Sequence, residues 1–412
     1  MKQYVIIGGG VAAVGCIEGI RQCDAASSIT LVSAETRAPY CRPLISYYLE
    51  GKTDLQKMNY RPEDFYARSG VSVRYGVSAE KIDSETQSVT LSDGSTLPYS
   101  ALCIATGSEP FVPKFEGLET VEMKRCFMTV EDSLAIEKAL RPDASVLIIG
   151  AGFIGLKCAE GIRDRVAQIT VCDLADHILS SILDAESAAP MEKCLEENGI
   201  ALWLGDTVVR FDGQKAYMKS GRELDFDILV LAVGVRPNVE LFRSAGGAVN
   251  KGIPVSEKME TSLPFIYAAG DCTECYDVSC ATCAVMANMP NAYMQGRCAG
   301  VNMAGGEEVF DKGTKMNSIG FFGCHVISAG TRDDGGEVFV EKGENFLKKL
   351  YCRDDRLVGY ILLGDVERAG IYTALIRNET PLSSFDFEKM KQLPALSAFS
   401  ADVRKAVLGG LV

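Results

Sequence analysis

No apolar stretch in this sequence approaches the ~18 residues that a membrane-spanning helix needs, so no such helix is expected. Positive charge is also short. Lysine and arginine number 42 against 55 aspartates and glutamates, a net charge of −13. That balance argues against nucleic acid or an anionic membrane surface as the main partner. No export signal is expected either, since the sequence opens Met1-Lys2-Gln3-Tyr4-Val5-Ile6-Ile7-Gly8, which reads as a strand running into a glycine turn. Cysteine is plentiful at fifteen, but the count is odd and most stand singly in apolar segments (Cys16, Cys103, Cys158, Cys172, Cys194). There the residue serves as a small hydrophobe. A disulfide scaffold is a poor account of such a chain, which is expected to be cytoplasmic, reduced and from an anaerobe.

What is present is an alternation of strand and helix signals over 412 residues, enough for two or three domains. Val5–Ile7 reads as a buried strand, Ala12–Gln22 as a helix and Ile29–Val32 as a second strand. After short β segments the pattern restarts, with Ser145–Ile149 a strand, Ile154–Asp164 a helix and Ile169–Cys172 a strand. One βαβ unit therefore recurs at an offset of about 140 residues. Parallel strands with helical crossovers predict a doubly wound sheet in each copy. From about residue 310 the chain turns β-rich. Its last stretch carries apolar residues at helical spacing (Leu396, Phe399, Val403, Val407, Leu411), which packing or a homo-oligomer contact explains.

Each repeat holds the chemistry at its first turn. Gly8-Gly9-Gly10-Val11-Ala12-Ala13 follows a strand and opens a helix, matching G-x-G-x-x-G/A. Such a turn brings backbone N–H groups to a pyrophosphate where the helix dipole favours negative charge. Glu35, at the end of the next strand, is placed to accept from a ribose; its alternative is a solvated strand-end carboxylate. The second copy is Gly150-Ala151-Gly152-Phe153-Ile154-Gly155, with Asp173 closing its strand. A carboxylate there suits free ribose hydroxyls and repels a 2′-phosphate. Leu174-Ala175-Asp176-His177 offers no arginine to grip one, so NADH is predicted over NADPH.

With these motifs in place the chain resembles the pyridine nucleotide-disulfide oxidoreductases, FAD enzymes with two dinucleotide folds, over nearly all its length. Ala105-Thr106-Gly107-Ser108-Glu109-Pro110 resembles the segment where the chain leaves the FAD domain, and Gly234-Val235-Arg236-Pro237-Asn238 the return crossing. Ile266-Tyr267-Ala268-Ala269-Gly270-Asp271 resembles the second FAD motif, whose aspartate accepts from the ribityl chain. Pro39-Tyr40-Cys41-Arg42-Pro43-Leu44-Ile45-Ser46 and Gly364–Gly370 are similar to rubredoxin and ferredoxin reductases and to the flavin half of NADH nitrite reductases. The resemblance implies an α/β protein: two Rossmann-type, glutathione-reductase-like dinucleotide-binding domains and a small C-terminal α+β domain. Residues 1–112 and 239–309 would bind FAD, 113–238 NAD(H), and 310–412 would form the C-terminal domain and tail. It further implies that Gly8, Gly10 and Ala13 hold FAD and that Gly150, Gly152 and Gly155 hold NAD(H). Arg42 would face the FAD diphosphate or ring edge, Pro43 the isoalloxazine, and Asn291 and Gln295 the flavin's surroundings.

The chain also departs from the family. The C-x4-C pair of true disulfide reductases is missing, and Cys41 falls two residues before the cysteine position of the NADH oxidase and peroxidase group. Relatives carry a lysine and a glutamate that resemble an ion pair near flavin N5; here those positions hold Tyr47 and Lys157. Lys157 is a candidate cation beside the flavin, or a plain interdomain lysine. Phe153 resembles a gate over the flavin, with core packing as the alternative. Two C-x-x-C pairs, Cys272/Cys275 and Cys280/Cys283, leave three readings: a metal or iron–sulfur centre, a redox dithiol, or incidental small residues. The first pair is expected to begin a helix with its thiols pointing apart, and no metal is assigned.

Function divides accordingly. The leading expectation is hydride transfer from NADH to FAD and onward electron transfer to a small iron–sulfur carrier or iron–sulfur subunit, of the rubredoxin or ferredoxin type. Lys348, Lys349, Arg353 and Arg356 are candidates for its docking patch, or a solvated β-edge. The alternatives are an NADH oxidase or thiol/disulfide reductase using the cysteine pairs, and a flavin subunit of a larger redox complex.

Overall fold

The computed structural model describes residues 1–332, 335–401 and 404. It divides into two compact units, Met1–Cys275 with Ala284–Phe310, and Tyr276–Cys283 with Asp311 onward. The hairpin segment Tyr276–Cys283 thus groups with the second unit although its neighbours on both sides belong to the first.

Two five-stranded parallel sheets build the first unit. One runs in the order Ile266–Ala268, Ala101–Ile104, Gln3–Ile7, Ser28–Ser33, Val71–Tyr75. Along its central strand Tyr4 and Ile6 enter one apolar cluster while Val5 and Ile7 enter another. Both faces are covered, which is why these strands read as unbroken apolar runs. The second sheet repeats the arrangement, in the order Ile200–Leu204, Gln168–Asp173, Ser145–Ile149, Ile228–Leu231, Lys124–Cys126.

Six helices matter to the site: α1 (Val11–Cys23), α2 (Leu44–Leu49), α3 (Val130–Ala139), α4 (Phe153–Ile162), α5 (Ala185–Glu197) and α6 (Met289–Met303). Helices α1 and α6 cross backbone to backbone. A Cβ added at Gly15 would lie 2.3 Å from Tyr293 O, and one at Gly296 would lie 1.9 Å from Ala12 O. No side chain fits at that crossing, so glycine fixes how α6 is seated behind the first turn.

The second unit is an antiparallel sheet, ordered Met316–Phe321, Cys324–Gly330, Arg356–Leu363, Leu347–Arg353, Glu337–Lys342, with helix α7 (Ala369–Arg377) against it. Leu350, Tyr360, Leu362, Tyr372 and Leu375 form its core. The α/β fold with an α+β C-terminal part is as expected from the sequence. The candidate docking patch is not supported. Lys349 is buried, Lys348 pairs with Glu341 at 2.7 Å, Arg356 pairs with Glu379, and Arg353 stands 3.9 Å from Asp354. Each such charge on the sheet is met by a local carboxylate or drawn into the core, and the set offers little net field to a partner. Of the expected apolar tail stripe, Phe399 stacks on Phe385 at 4.9 Å, while Val403, Val407 and Leu411 lie outside the described residues. Among the described residues no helix is long and apolar enough to cross a membrane.

Candidate dinucleotide sites

The two glycine turns have the same construction. Gly8 follows its strand at φ +117 and Gly150 at φ +112, a conformation that L side chains rarely adopt. Gly10 and Gly152 then cap α1 and α4 in extended backbone, and nothing lies within 4 Å of where their Cβ atoms would stand. Gly155 packs the second turn closed, since a Cβ there would sit 2.0 Å from Gly150 O. Ala13 is buried beneath the first turn.

Neither helix has a side-chain cap or an acidic residue in its first turn. By contrast α3, α5 and α6 are capped by Thr129, Asp184 and Asn288. A side-chain cap stabilises a helix by about 1 kcal/mol. Leaving it out at these two helices keeps their N–H groups available to an anion, where a charge gains up to ~2 kcal/mol from the dipole.

A carboxylate stands at or just past the end of the second strand of each repeat. Asp173 accepts from the Ala151 N–H at 2.7 Å and from the Ala175 N–H at 2.9 Å, which fixes it at the lip of the second turn. Glu35 forms an ion pair with Arg42 and accepts from the Tyr40 hydroxyl at 2.8 Å. Arg42 also donates to Met128 O at 3.0 Å. Pro43 closes this loop as the N-cap of α2, and Cys41 beside it is half-buried.

The two crossings between the halves meet as a ribbon. Ser108–Pro110 pairs antiparallel with Val235–Pro237. Thr106 donates its hydroxyl to Asn238 O at 2.7 Å, and the Asn238 amide returns a bond to Thr106 O at 3.0 Å. Gly107 (φ +66) and Gly234 (φ +117) flank the ribbon with open space at both Cβ positions, and Ala105 is buried against Gly8. Asp271 accepts from the Ser108 hydroxyl at 3.1 Å. Burial pushes the Asp271 carboxyl up, while Ser108 and the charge of Arg42 pull it down.

Gln295 is fully buried and turned inward. Its amide oxygen accepts from Gly270 N at 2.7 Å and from Thr273 Oγ1 at 3.2 Å, and its nitrogen donates to Cys275 Sγ at 2.9 Å. It braces the Gly270–Cys275 turn. Asn291 is buried one turn earlier on the same helix.

Lys157 meets Tyr47: its ammonium lies 4.9 Å from the ring centroid. It also pairs with Glu160, one turn on along α4; the two side chains are 18% and 10% exposed. A lysine and a glutamate three residues apart on a helix face each other, so this pair was readable from spacing. Phe153 is half-buried at the first position of α4, on the same face as Lys157. Sequence reasoning missed Tyr40 and Ser108, whose partners come from distant segments.

The cysteine pairs depart from expectation. The residues after Asp271 are extended, with Thr273–Asp277 a strand and no helix. Cys272 donates to Ala269 O and Ile104 O and packs in one core cluster, whereas Cys275 packs in the other. Residues three apart on extended backbone point to opposite faces, so the two thiols diverge for a reason other than helical geometry. Burial pushes the Cys272 thiol up to about 11. All fifteen cysteines are thiols. Among the described residues no group of three or more histidine, cysteine, aspartate or glutamate side chains is arranged to hold a metal ion.

Comparison with known proteins follows this geometry. Residues 2–296 match the family described as pyridine nucleotide-disulphide oxidoreductase, and residues 316–380 match the rubredoxin NAD+ reductase C-terminal domain. The chain is 30% identical to the NADH-dependent phenylglyoxylate dehydrogenase subunit epsilon of Aromatoleum evansii, over 92% of this chain and 93% of that one. It is 32% identical to putidaredoxin reductase of Pseudomonas putida, over 72% of each. In a crystal structure of the covalent putidaredoxin reductase–putidaredoxin complex the fold recurs at a TM-score of 0.88 and 24% identity, covering 99% of this chain and 98% of that one. Two open, uncapped nucleotide turns with their carboxylates fit the two cofactors of that family, and the chain belongs to the pyridine nucleotide-disulphide oxidoreductases as an FAD- and NAD(H)-dependent enzyme.

Proposed function

We propose that this enzyme carries electrons between NAD(H) and a small iron–sulfur protein or iron–sulfur subunit, in the cytoplasm of an anaerobe. Residues 1–112 and 239–309 hold FAD, 113–238 hold the nicotinamide dinucleotide, and 310–412 form the C-terminal domain and tail. The observation that carries this reading is the pair of uncapped helices, α1 and α4, the second with Asp173 bonded to its turn. The relatives' names supply the class of acceptor: one is a putidaredoxin reductase, and the matched C-terminal domain is that of rubredoxin reductases.

When bound, FAD supplies exchange of an electron pair with a nicotinamide and of single electrons with an iron–sulfur centre. The chain positions and tunes. The turn at Gly8 and Gly10 holds the FAD diphosphate, with Arg42 as its counter-charge, and Glu35 takes a ribose. Thr106, Gly107 and Asp271 line the ribityl path, Asn291 closes it, and Gln295 keeps Gly270 and Asp271 in place. Gly150, Gly152, Gly155 and Asp173 receive NAD(H), and Gly234 leaves room beside it. Phe153 and Pro43 bound the reacting rings and exclude water.

Lys157 is the tuning cation. Glu160 and the Tyr47 ring hold its ammonium at the α2–α4 junction. Lys157→Met is expected to lower the flavin's two-electron midpoint potential by about 30–60 mV, since 30 mV corresponds to ~1.4 kcal/mol. A spectroscopic redox titration reads this shift; an unchanged potential removes Lys157 from the role.

Thiol chemistry is disfavoured by the same geometry. Burial raises the Cys41 thiol above its ordinary value. A thiolate forms only as pH rises through that raised value, so Cys41 stays protonated near neutrality. Exposed Cys23 and Cys283 should therefore alkylate first at neutral pH, with turnover intact, and Cys41 only under alkaline conditions. Peptide mapping alongside activity checks this, and loss of turnover in step with Cys41 labelling at neutral pH favours the thiol reading.

A second reading, a flavin subunit docked in a larger complex, is favoured by the full-length likeness to a dehydrogenase subunit. The test is to mix NADH-reduced enzyme anaerobically with oxidised rubredoxin, ferredoxin, oxygen or a disulfide. Rapid re-oxidation by an iron–sulfur protein alone is expected. Rapid re-oxidation by oxygen or disulfide overturns the proposal, and turnover seen only with a co-purifying partner selects the subunit reading.

A further inference from the structure

The Tyr40 hydroxyl is a junction that the function above leaves unused. Tyr40 is 5% exposed and belongs to the loop between the first sheet and α2. Its hydroxyl donates to Glu35 Oε2 at 2.8 Å and accepts from the Val130 N–H, the first residue of α3, at 3.1 Å. Its ring lies against two guanidinium groups, with Arg42 at 5.4 Å and Arg37 at 5.7 Å from the centroid. Arg42, paired with the other Glu35 oxygen, donates in turn to Met128 O. A three-residue segment of the second half, Met128–Val130, is thereby tied to the carboxylate of the first.

We infer that Tyr40 is a positioning residue that aims Glu35 at the FAD ribose and couples FAD occupancy to the seating of α3. The inference rests on the proposed role of Glu35. A carboxylate offers about four acceptor sites. Tyr40 and Arg42 use one on each oxygen, and two remain for the paired hydroxyls of a ribose. Rotation of the Glu35 side chain breaks one of these two contacts, so the pair sets the direction in which the free acceptor sites point. The phenol stays a donor throughout, because burial and the neighbouring carboxylate hold its proton on. Val130 is the feature that carries the effect onward. Its N–H is one of the orphan donors of a helix start, and Tyr40 satisfies it from the other half of the unit.

A double-mutant cycle in FAD affinity tests this, using the full chain stripped of flavin and reconstituted, with quenching of flavin fluorescence as the readout. Tyr40→Phe keeps the ring between the two arginines and removes only the hydroxyl. It should weaken FAD binding about tenfold, and Glu35→Gln by about thirtyfold or more, as expected for hydrogen bonds to a charged group. In the Glu35→Gln background the Tyr40→Phe factor should vanish, because the hydroxyl then has no carboxylate to aim. A purely structural Tyr40 gives the same factor in both backgrounds, which overturns the inference. So does a Tyr40→Phe variant of undiminished affinity beside a weakened Glu35→Gln. If Glu35→Gln itself binds FAD normally, the reading of Glu35 falls first and takes this one with it. Native protein supplies a second measurement that needs no variant to fold. Hydrogen exchange at the Val130 amide should slow at least about tenfold on FAD loading, and an unchanged rate contradicts the coupling.

Discussion

Gly8→Ala is expected to give protein that neither retains FAD nor folds stably in its first sheet. A Cβ at this position meets the Ala105 carbonyl oxygen at 2.0 Å, just past the ends of the two paired strands Gln3–Ile7 and Ala101–Ile104. The backbone at φ +117 adds strain. Strain of about 1–3 kcal/mol and overpacking of about 1–3 kcal/mol together approach the ~5–15 kcal/mol that holds a domain folded. Gly10→Ala is the matched control. Gly10 has φ −107 and no atom within 4 Å of its Cβ position, so the fold should tolerate the methyl. The methyl instead enters the space above α1 that the FAD diphosphate needs. Thermal unfolding of the flavin-free protein and FAD content separate the two variants. Gly8→Ala should lower Tm by on the order of 10 °C, whereas Gly10→Ala should leave it unchanged and weaken FAD binding by about tenfold or more. Equal FAD affinity in Gly10→Ala and the parent removes the first turn from cofactor binding.

Asp173→Asn should abolish most of the expected preference for NADH over NADPH. The carboxylate is held by two backbone N–H groups at the lip of the turn, which leaves acceptor capacity on both oxygens for the proposed ribose. Hydrogen bonds from ribose hydroxyls to a charge are worth about 1.5–3 kcal/mol, so kcat/KM for NADH should fall roughly 10- to 100-fold. For NADPH the loss is expected to be far smaller, since removing the charge also removes repulsion of the 2′-phosphate. Steady-state kinetics with both nucleotides read the ratio, and FAD content should not change. Equal losses for NADH and NADPH would show that Asp173 supports the turn without reading the ribose.

How far the sequence reaches is visible at these same positions. Both glycine turns are local: strand, turn and helix lie within about twenty residues, and each strand is an unbroken apolar run because both its faces are buried. The sequence could therefore be read directly at Gly8, Gly10, Gly150 and Gly152. Lys157 facing Glu160, three residues on along one helix, follows from the same local logic. What escaped depends on long-range closure. Nothing near Tyr40 in sequence announces Val130 or Met128, and the glycines of α1 and α6 become legible only when the two helices are seen to cross. The expected helix after Asp271 failed for a related reason. Thr273 and Glu274 pair with Ile253 and Pro254, and the Glu274 carboxylate accepts from the Lys251 and Gly252 N–H groups. That tertiary pairing overrides any local helical tendency. A docking patch cannot be read from lysine and arginine positions alone, because the sheet brings Glu341 and the turn after α7 brings Glu379 alongside them.

The central claim is that one chain binds FAD and NADH at two separate turns and moves electrons between them. Anaerobic stopped-flow mixing of the purified protein with NADH tests it most directly, with the flavin band as the readout. Bleaching by one equivalent of NADH, slowed in Asp173→Asn at unchanged FAD content, is the predicted result. A flavin band that NADH leaves unbleached, or that bleaches at the same rate when Asp173 is replaced, would contradict the account.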